Sequence, residues 1–323
     1  NLCMEITLPT KPLYSVQDEE GEVALCTLSA VNLGALDSLD ELEDITEIIV
    51  RSLDSLLDYQ DYPLKSAEIT SNNRRTLGIG VTNLAYYLAK NDAKYSDGSG
   101  NDLIHKTFEA LQYYSLKASN KLAEEFGPCP LFSETQYANG IMPIDSYKKD
   151  IDAFCTTKLE LDWDTLRKDI QSKGLRNSTL TALMPCESSS QISNSTNGIE
   201  PPRGFVSVKQ SKDGILKQVV PEYEKLHKKY ELLWDIKDNE GYLQLCAIMQ
   251  KFVDQSISTN THYDPSQFEG SRVPMKLFLM DLLKAYKYGI KTLYYHTTRD
   301  GASDGQNDSK LGDDDCEDGV CKL

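Results

Sequence analysis

No run in this 323-residue sequence approaches the roughly 20 consecutive apolar residues that span a bilayer, so a helical membrane protein is excluded. No basic-then-apolar leader precedes the first strand, and nothing points to secretion. Cysteine is sparse at eight residues, far below the density of a disulfide scaffold. The expected setting is therefore reducing and cytoplasmic, where a cysteine pair signals redox or metal chemistry before it signals a staple. Basic residues are also in deficit, 34 Lys and Arg against 50 Asp and Glu. The resulting charge of −16 argues against a nucleic-acid binder, which normally carries a basic face. The four histidines, at 105, 227, 262 and 296, show no metal-ligand spacing. Neither a third glycine after Gly78-Ile79-Gly80 nor any Gly-Lys-Ser/Thr loop supplies a nucleotide fingerprint.

What remains is enough for one large domain or two modest ones, with 40% hydrophobic residues to build a core. The opening, Asn1-Leu2-Cys3-Met4-Glu5-Ile6, has no initiator Met and reads as a trimmed chain or one part of a larger protein. Ser38 and Glu41 form a capping-box pattern ahead of Leu42, Ile45, Ile49, Leu53 and Leu56, which predicts a helix to about Tyr59. Thr76–Val81 reads as a buried strand or turn opening a helix over 83–90, and 106–126 as a helix stopped by Gly127 and Pro128. A short apolar strand is expected at 179–184, then a hairpin of 205–209 and 215–220 about Asp213-Gly214. Helices at 241–258 and 276–288 and a strand at 291–295 follow. From about Arg299 the chain is rich in Gly, Asp and Ser and is expected to be a mobile tail. Strands alternating with helices favour an α/β fold.

Several residue groups carry potential chemistry. Cys316 and Cys321 lie on the polar tail, where two thiols reach each other and exchange with other thiols. A zinc site would need ligands that are not nearby, and the bland reading is two incidental cysteines. Cys3 and Glu5, two apart, face one side of an extended segment together with Asn1. The alternative is a buried thiol and a surface carboxylate. Glu187-Ser188-Ser189 after an apolar strand has the form of an anion site, or of plain serine capping. Cys26 reads as a core strand residue, and adjacent Tyr294 and Tyr295 as core and rim, although two neighbouring phenols also suit stepwise electron transfer.

Taken in order, Asn1-Leu2-Cys3-Met4-Glu5, Arg75-Thr76-Leu77-Gly78-Ile79-Gly80-Val81, Leu175-Arg176-Asn177-Ser178-Thr179, Asn197-Gly198-Ile199-Glu200-Pro201, Tyr294-Tyr295 and the terminal Cys-x4-Cys form a specific set. With it the chain resembles, along its whole length, the C-terminal part of the large catalytic subunit of class Ia ribonucleoside-diphosphate reductases of the bacterial and bacteriophage kind. The resemblance implies that residues 1–298 are the C-terminal part of a ten-stranded α/β barrel with its following helical region, and 299–323 a flexible redox-active tail. It implies reduction of ribonucleoside diphosphates to 2′-deoxyribonucleoside diphosphates for DNA synthesis, under allosteric control.

Residue by residue, the resemblance makes Cys3 the thiyl radical, Glu5 the base for the 3′-hydroxyl and Asn1 a hydrogen-bonding partner of the sugar. Cys26 becomes one of two reducing cysteines, whose partner lies in a portion of the family that precedes this sequence. Glu187, Ser188 and Ser189 would hold the diphosphate. Tyr294 and Tyr295 would end the radical path, and Cys316 and Cys321 would re-reduce the active-site disulfide. No cofactor or metal is expected on this chain itself. The radical would come from a small subunit's diiron-tyrosyl centre, and electrons from thioredoxin or glutaredoxin. The implied partners are the substrate, the N-terminal portion of the large subunit, the small subunit and those reductants, with no nucleic acid and no membrane. Cys186 departs from the pattern, standing where relatives carry Ser, and places a thiol close to the radical site. Two rival readings use fewer of these residues: a stand-alone thiol–disulfide oxidoreductase working through Cys316 and Cys321, and a non-catalytic fragment that binds the small subunit.

Overall fold

The computed structural model describes residues 3–211, 214–299, 316–317 and 320–321, with only the backbone described for 209–211 and the last two pairs. The helices are α1 (Leu42–Tyr59), α2 (Lys65–Arg74), α3 (Leu84–Lys90), α4 (Asn101–Phe126), α6 (Trp163–Lys173), α9 (Glu240–Gln250) and α10 (Met275–Tyr288). Single-turn helices α5 (Pro143–Ser146), α7 (Ser189–Ile192) and α8 (Tyr223–Leu226) lie between them. The strands β1 (Leu28–Asn32), β2 (Gly78–Thr82), β5 (Thr259–Tyr263) and β6 (Leu293–Thr298) are joined through helices, while β3 (Val206–Ser211) and β4 (Gly214–Val219) form the expected antiparallel hairpin.

The strands assemble into one parallel arc. β1 pairs with β2 in register from Leu28↔Gly78 to Asn32↔Thr82. The extended 179–183 segment continues it through an Ile79↔Thr181 bridge and then a Leu183↔Ile257 bridge. Ile79 N donates to Leu180 O (2.7 Å), and Ser258 N to Leu183 O (3.0 Å). β5 then pairs in parallel with β6. Parallel pairing requires crossovers, and the helices supply them: α1 and α2 between the first two strands, α3 to α6 next, α9 before β5 and α10 before β6. The α/β expectation is met. Among the described residues the arc is open, with β1 and β6 at its ends.

Sequence explains the interior positions. All five residues of β2 are buried, as a parallel strand covered on both faces requires. Gly80 is obligatory for spacing, since a Cβ there would lie 2.7 Å from Ala182 O and 2.8 Å from Met184 Sδ. Helix α4 is the central packing element, its buried Ile104, Phe108, Leu111, Leu116 and Leu122 lying within a core to which α1, α6 and α9 also contribute. Asp254, deep in the fold, ties α9 to the arc: its carboxylate accepts from Leu180 N (2.7 Å), Thr181 N (2.9 Å) and Tyr137 Oη (2.9 Å). No described helix is long and apolar enough to cross a membrane.

Three expectations shift. The helix predicted to reach Ser258 ends at Gln250, because residues 255–258 are drawn out to meet the arc, with Gln255 N donating to Thr181 O (3.1 Å) and Ile257 bridging Leu183. The pattern at Ser38 and Glu41 is not a capping box. Ser38 Oγ accepts from Asp40 N and Glu41 from Asp37 N, so a 3-10 turn precedes α1. Cys26 is exposed two residues before β1 and is no core residue, since β1 borders the end of the arc. The predicted mobile tail lies outside the described residues, apart from Arg299 and two backbone pairs. In these, Cys316–Glu317 (β7) and Val320–Cys321 (β8) run antiparallel with Cys316 opposite Cys321.

Candidate active site

The first described residues are pinned against the segment that leads into β5. Ser256 N donates to Glu5 O (2.9 Å), and Met4 N to Ser258 Oγ (3.1 Å). Ser258 Oγ donates in turn to Glu5 Oε2 (2.6 Å). Glu5 is thereby buried, at 2% exposure, with its carboxylate oriented by a hydroxyl. A buried carboxylate needs such a partner, and Ser258 is the residue that sequence reasoning missed, because it fell inside an expected helix. The alternating β-branched residues Thr259 and Thr261 were the signal for a strand there.

Cys3 emerges beside Glu5 and shares a hydrogen bond with the Tyr294 hydroxyl. Burial raises the Cys3 thiol above its ordinary range, and Glu5 and Glu187 add to the shift by disfavouring a second negative charge. The Tyr294 bond opposes it in part. Tyr294 Oη donates to Tyr295 Oη (3.0 Å), and the two rings lie with centroids 3.9 Å apart at 36°. Neither tyrosine is core. Tyr294 is half-buried and Tyr295 exposed. Cys26 has an accessible side chain, yet its thiol too is raised, first by the protein around its sulfur, then by Glu5, with Cys3 contributing. Cys3, Glu5, Cys26, Tyr294 and Glu187 therefore belong to one electrostatic neighbourhood.

Glu187, Ser188 and Ser189 are exposed at the head of α7. Asn197 staples this loop: its Oδ1 accepts from Cys186 N (2.6 Å) and its Nδ2 donates to Glu187 Oε1 (3.0 Å). The adjoining pocket, about 320 Å³, is bordered by Glu187, Ser190, Asn197, Arg203 and Gly204, and Ser188 and Ser189 are not among its lining residues. The Cys186 thiol is buried and turned towards the carbonyls of Val81 (3.6 Å) and Met184 (3.7 Å). Asn1 and the side chains of Cys316 and Cys321 lie outside the described residues.

Comparison with known proteins identifies the family. The profile of the family described as "Ribonucleotide reductase, barrel domain" matches residues 1–296. The chain belongs to the ribonucleotide reductase barrel family. It is 67% identical over 323 residues to the Haemophilus influenzae ribonucleoside-diphosphate reductase subunit alpha, covering all of this chain and 42% of that protein. The Escherichia coli ribonucleoside-diphosphate reductase 1 subunit alpha is 65% identical over 325 residues, again with the whole chain and 43% of the relative covered. The subunit alpha of enterobacteria phage T4 is 50% identical over 330 residues, covering 42% of its length. The chain thus spans about two-fifths of the curated relatives it matches. The open arc is the part of a ribonucleotide reductase barrel that these residues encode.

Proposed function

We propose that this chain carries the radical-bearing half of the active site of a ribonucleoside-diphosphate reductase and works with the remainder of the large subunit and a small radical-generating subunit. The observation that carries the reading is the continuous contact from Cys3 through Tyr294 to Tyr295, running from a half-buried thiol to an exposed phenol. A thiol meant for nucleophilic attack is normally found with its pKa lowered. Cys3 has the reverse, and that suits hydrogen-atom transfer, which needs the S–H form.

In this reading an electron and a proton leave Tyr294 and Tyr295 towards the small subunit, and Cys3 gives up its hydrogen atom in turn. The thiyl radical takes the 3′-hydrogen of the ribose. Glu5, oriented by Ser258, accepts the 3′-hydroxyl proton, and the 2′-hydroxyl leaves as water. Cys26 and a partner thiol from the preceding portion of the subunit supply two electrons and become a disulfide. Cys3 then returns its hydrogen to C3′. One ribonucleotide and two thiols give one deoxyribonucleotide, one disulfide and water. Glu187, Ser188 and Ser189 hold the diphosphate, Asn1 the sugar hydroxyls, and Cys316 and Cys321 pass electrons from thioredoxin or glutaredoxin to the disulfide. The backbone register that sets Cys316 opposite Cys321 is compatible with that exchange. The low cysteine density of the sequence fits a reducing, cytoplasmic setting.

Cys3→Ser in the assembled reductase tests the assignment. A hydroxyl holds its hydrogen too tightly for the relay, so turnover should vanish while diphosphate binding persists. Turnover that survives the change would exclude Cys3 from the chemistry.

A further inference from the structure

The stacking of Tyr294 on Tyr295 poses a backbone problem, since successive residues of a strand project to opposite faces. The register of β5 and β6 resolves it. Thr259 faces Leu293 but Thr261 faces His296, so Tyr294 and Tyr295 together oppose the single residue Asn260. This is a β-bulge, which inserts one residue, bends the strand and re-aims its side chains. The bulged residue needs a hydrogen-bond partner outside the regular ladder, and here a side chain provides it: Tyr295 N donates to Asn260 Oδ1 (2.9 Å). The other end of the same amide is also fixed, as Asn260 Nδ2 donates to Glu200 Oε1. Glu200 sits on a stiff turn. Its N–H donates to Asn197 O (3.2 Å), and Pro201 and Pro202 follow it.

The geometry points to Asn260 and Glu200 as a positioning pair: Glu200 orients the Asn260 amide, and Asn260 holds the β6 bulge that stacks Tyr294 on Tyr295. The inference rests on the radical-relay reading and adds to it the residues that set the relay's geometry. Neither residue carries an electron. Both residues are half-buried and border a cavity of about 20 Å³ with Tyr242, Thr261, His262 and Thr297, and Glu200 also lines the pocket beside Glu187. The titratable groups facing Glu200 are Glu187, Arg203, Tyr95, Tyr242, Cys246 and His262. Burial holds both phenols and the thiol protonated and His262 neutral, leaving Glu187 and Arg203 as the charges near it. Burial also raises Glu200 itself to about 7.

The test exchanges donor and acceptor in the assembled reductase. Asn260→Leu removes both hydrogen bonds and should lower kcat by about a hundredfold, the scale of a misplacement near 1 Å, with KM for substrate unchanged. Asn260→Asp keeps the acceptor for Tyr295 N but sets a carboxyl against Glu200, so the contact forms only while the pair shares a proton. Its kcat should fall as pH rises through neutrality, a slope that the parent enzyme lacks. The double variant Asn260→Asp/Glu200→Gln restores one donor and one acceptor and should recover the parental pH profile. A purely structural role would not produce that slope or its reversal. Parental kcat in Asn260→Leu would overturn the proposal, as would a double variant with the same pH slope as Asn260→Asp. Tyr295→Phe is measured alongside. If that variant turns over normally, the relay reading itself has failed; if it is dead while Asn260→Leu is normal, only the positioning pair has.

Discussion

Replacing Tyr295 by Phe separates a relay residue from a structural one by magnitude. The change removes one oxygen, which accepts from Tyr294 Oη at 3.0 Å, and leaves the stacked ring in place. A neutral hydrogen bond contributes about 0.5–1.5 kcal/mol, and this one belongs at the low end because Tyr295 is 57% exposed. If that bond were the whole contribution, the barrier could rise by no more than about 1.5 kcal/mol, roughly tenfold in rate. The melting temperature would move by at most about 4 °C. A relay residue behaves otherwise. Phe has no phenolic proton to lose, so the path is cut and kcat should fall by far more than the tenfold that the lost bond explains. The assay is steady-state reduction of a ribonucleoside diphosphate by the reconstituted subunits, with KM and the melting curve measured in parallel. A kcat within tenfold of the parent would refute the relay and return Tyr295 to a packing role.

Asp54→Ala should destabilise the fold by about 3 kcal/mol, seen as a lower urea midpoint, because Asp54 accepts from Arg75 Nε (2.7 Å), Arg176 Nε (3.2 Å) and Asn177 Nδ2 (3.0 Å) in the interior. The cost stays at the low end of the range for a broken buried pair, since Asp58 still chelates Arg75 at 2.8 and 2.9 Å. With Cys316 and Cys321 both changed to Ser, turnover supported by thioredoxin should fail while turnover with a small dithiol persists; equal loss with both reductants would make these cysteines structural. The chain alone, assayed with small subunit and dithiol, should show no reduction until the N-terminal portion carried by its relatives is added, and activity without it would contradict a barrel shared between two segments.

The sequence made α1, α3, α4, α9, α10 and the buried run of β2 legible from local periodicity, but not α2 or α6. It failed at residues 255–258. Their conformation is set by Thr181 and Leu183 more than seventy positions away, and no local pattern carries that pairing. Bare spacing undervalued Cys3 and Glu5 for the same reason, since what organises them is Ser258, some 250 residues distant. Cys26 was placed in the core on the apolar residues around it. Its exposure depends on which edge of the arc is covered, a property of the assembled sheet. Motif resemblance supplied Tyr294 and Tyr295, but their stacking needed a bulge that only the register reveals.

On the proposed reading, the electrostatic setting of these residues suits one kind of chemistry. The chain is strongly acidic overall, and the carboxylates nearest Cys3 and Cys26 push both thiols towards the protonated form. For a protease-like cysteine that arrangement would be self-defeating, since the thiolate is the nucleophile. A hydrogen-atom donor needs the S–H bond intact until the radical arrives, and then needs a base within reach for the 3′-hydroxyl but not for itself. Ser258 meets the second condition by holding one Glu5 oxygen at 2.6 Å, so the carboxylate is oriented by a hydroxyl and does not depend on the thiol for a partner. Burial and the nearby carboxylates meet the first, outweighing the opposing bond from Tyr294 on the relay side. Partial burial is the largest cause of the raised Cys3 thiol, so the fold's shielding of Cys3 and its control of the Cys3 proton share a cause.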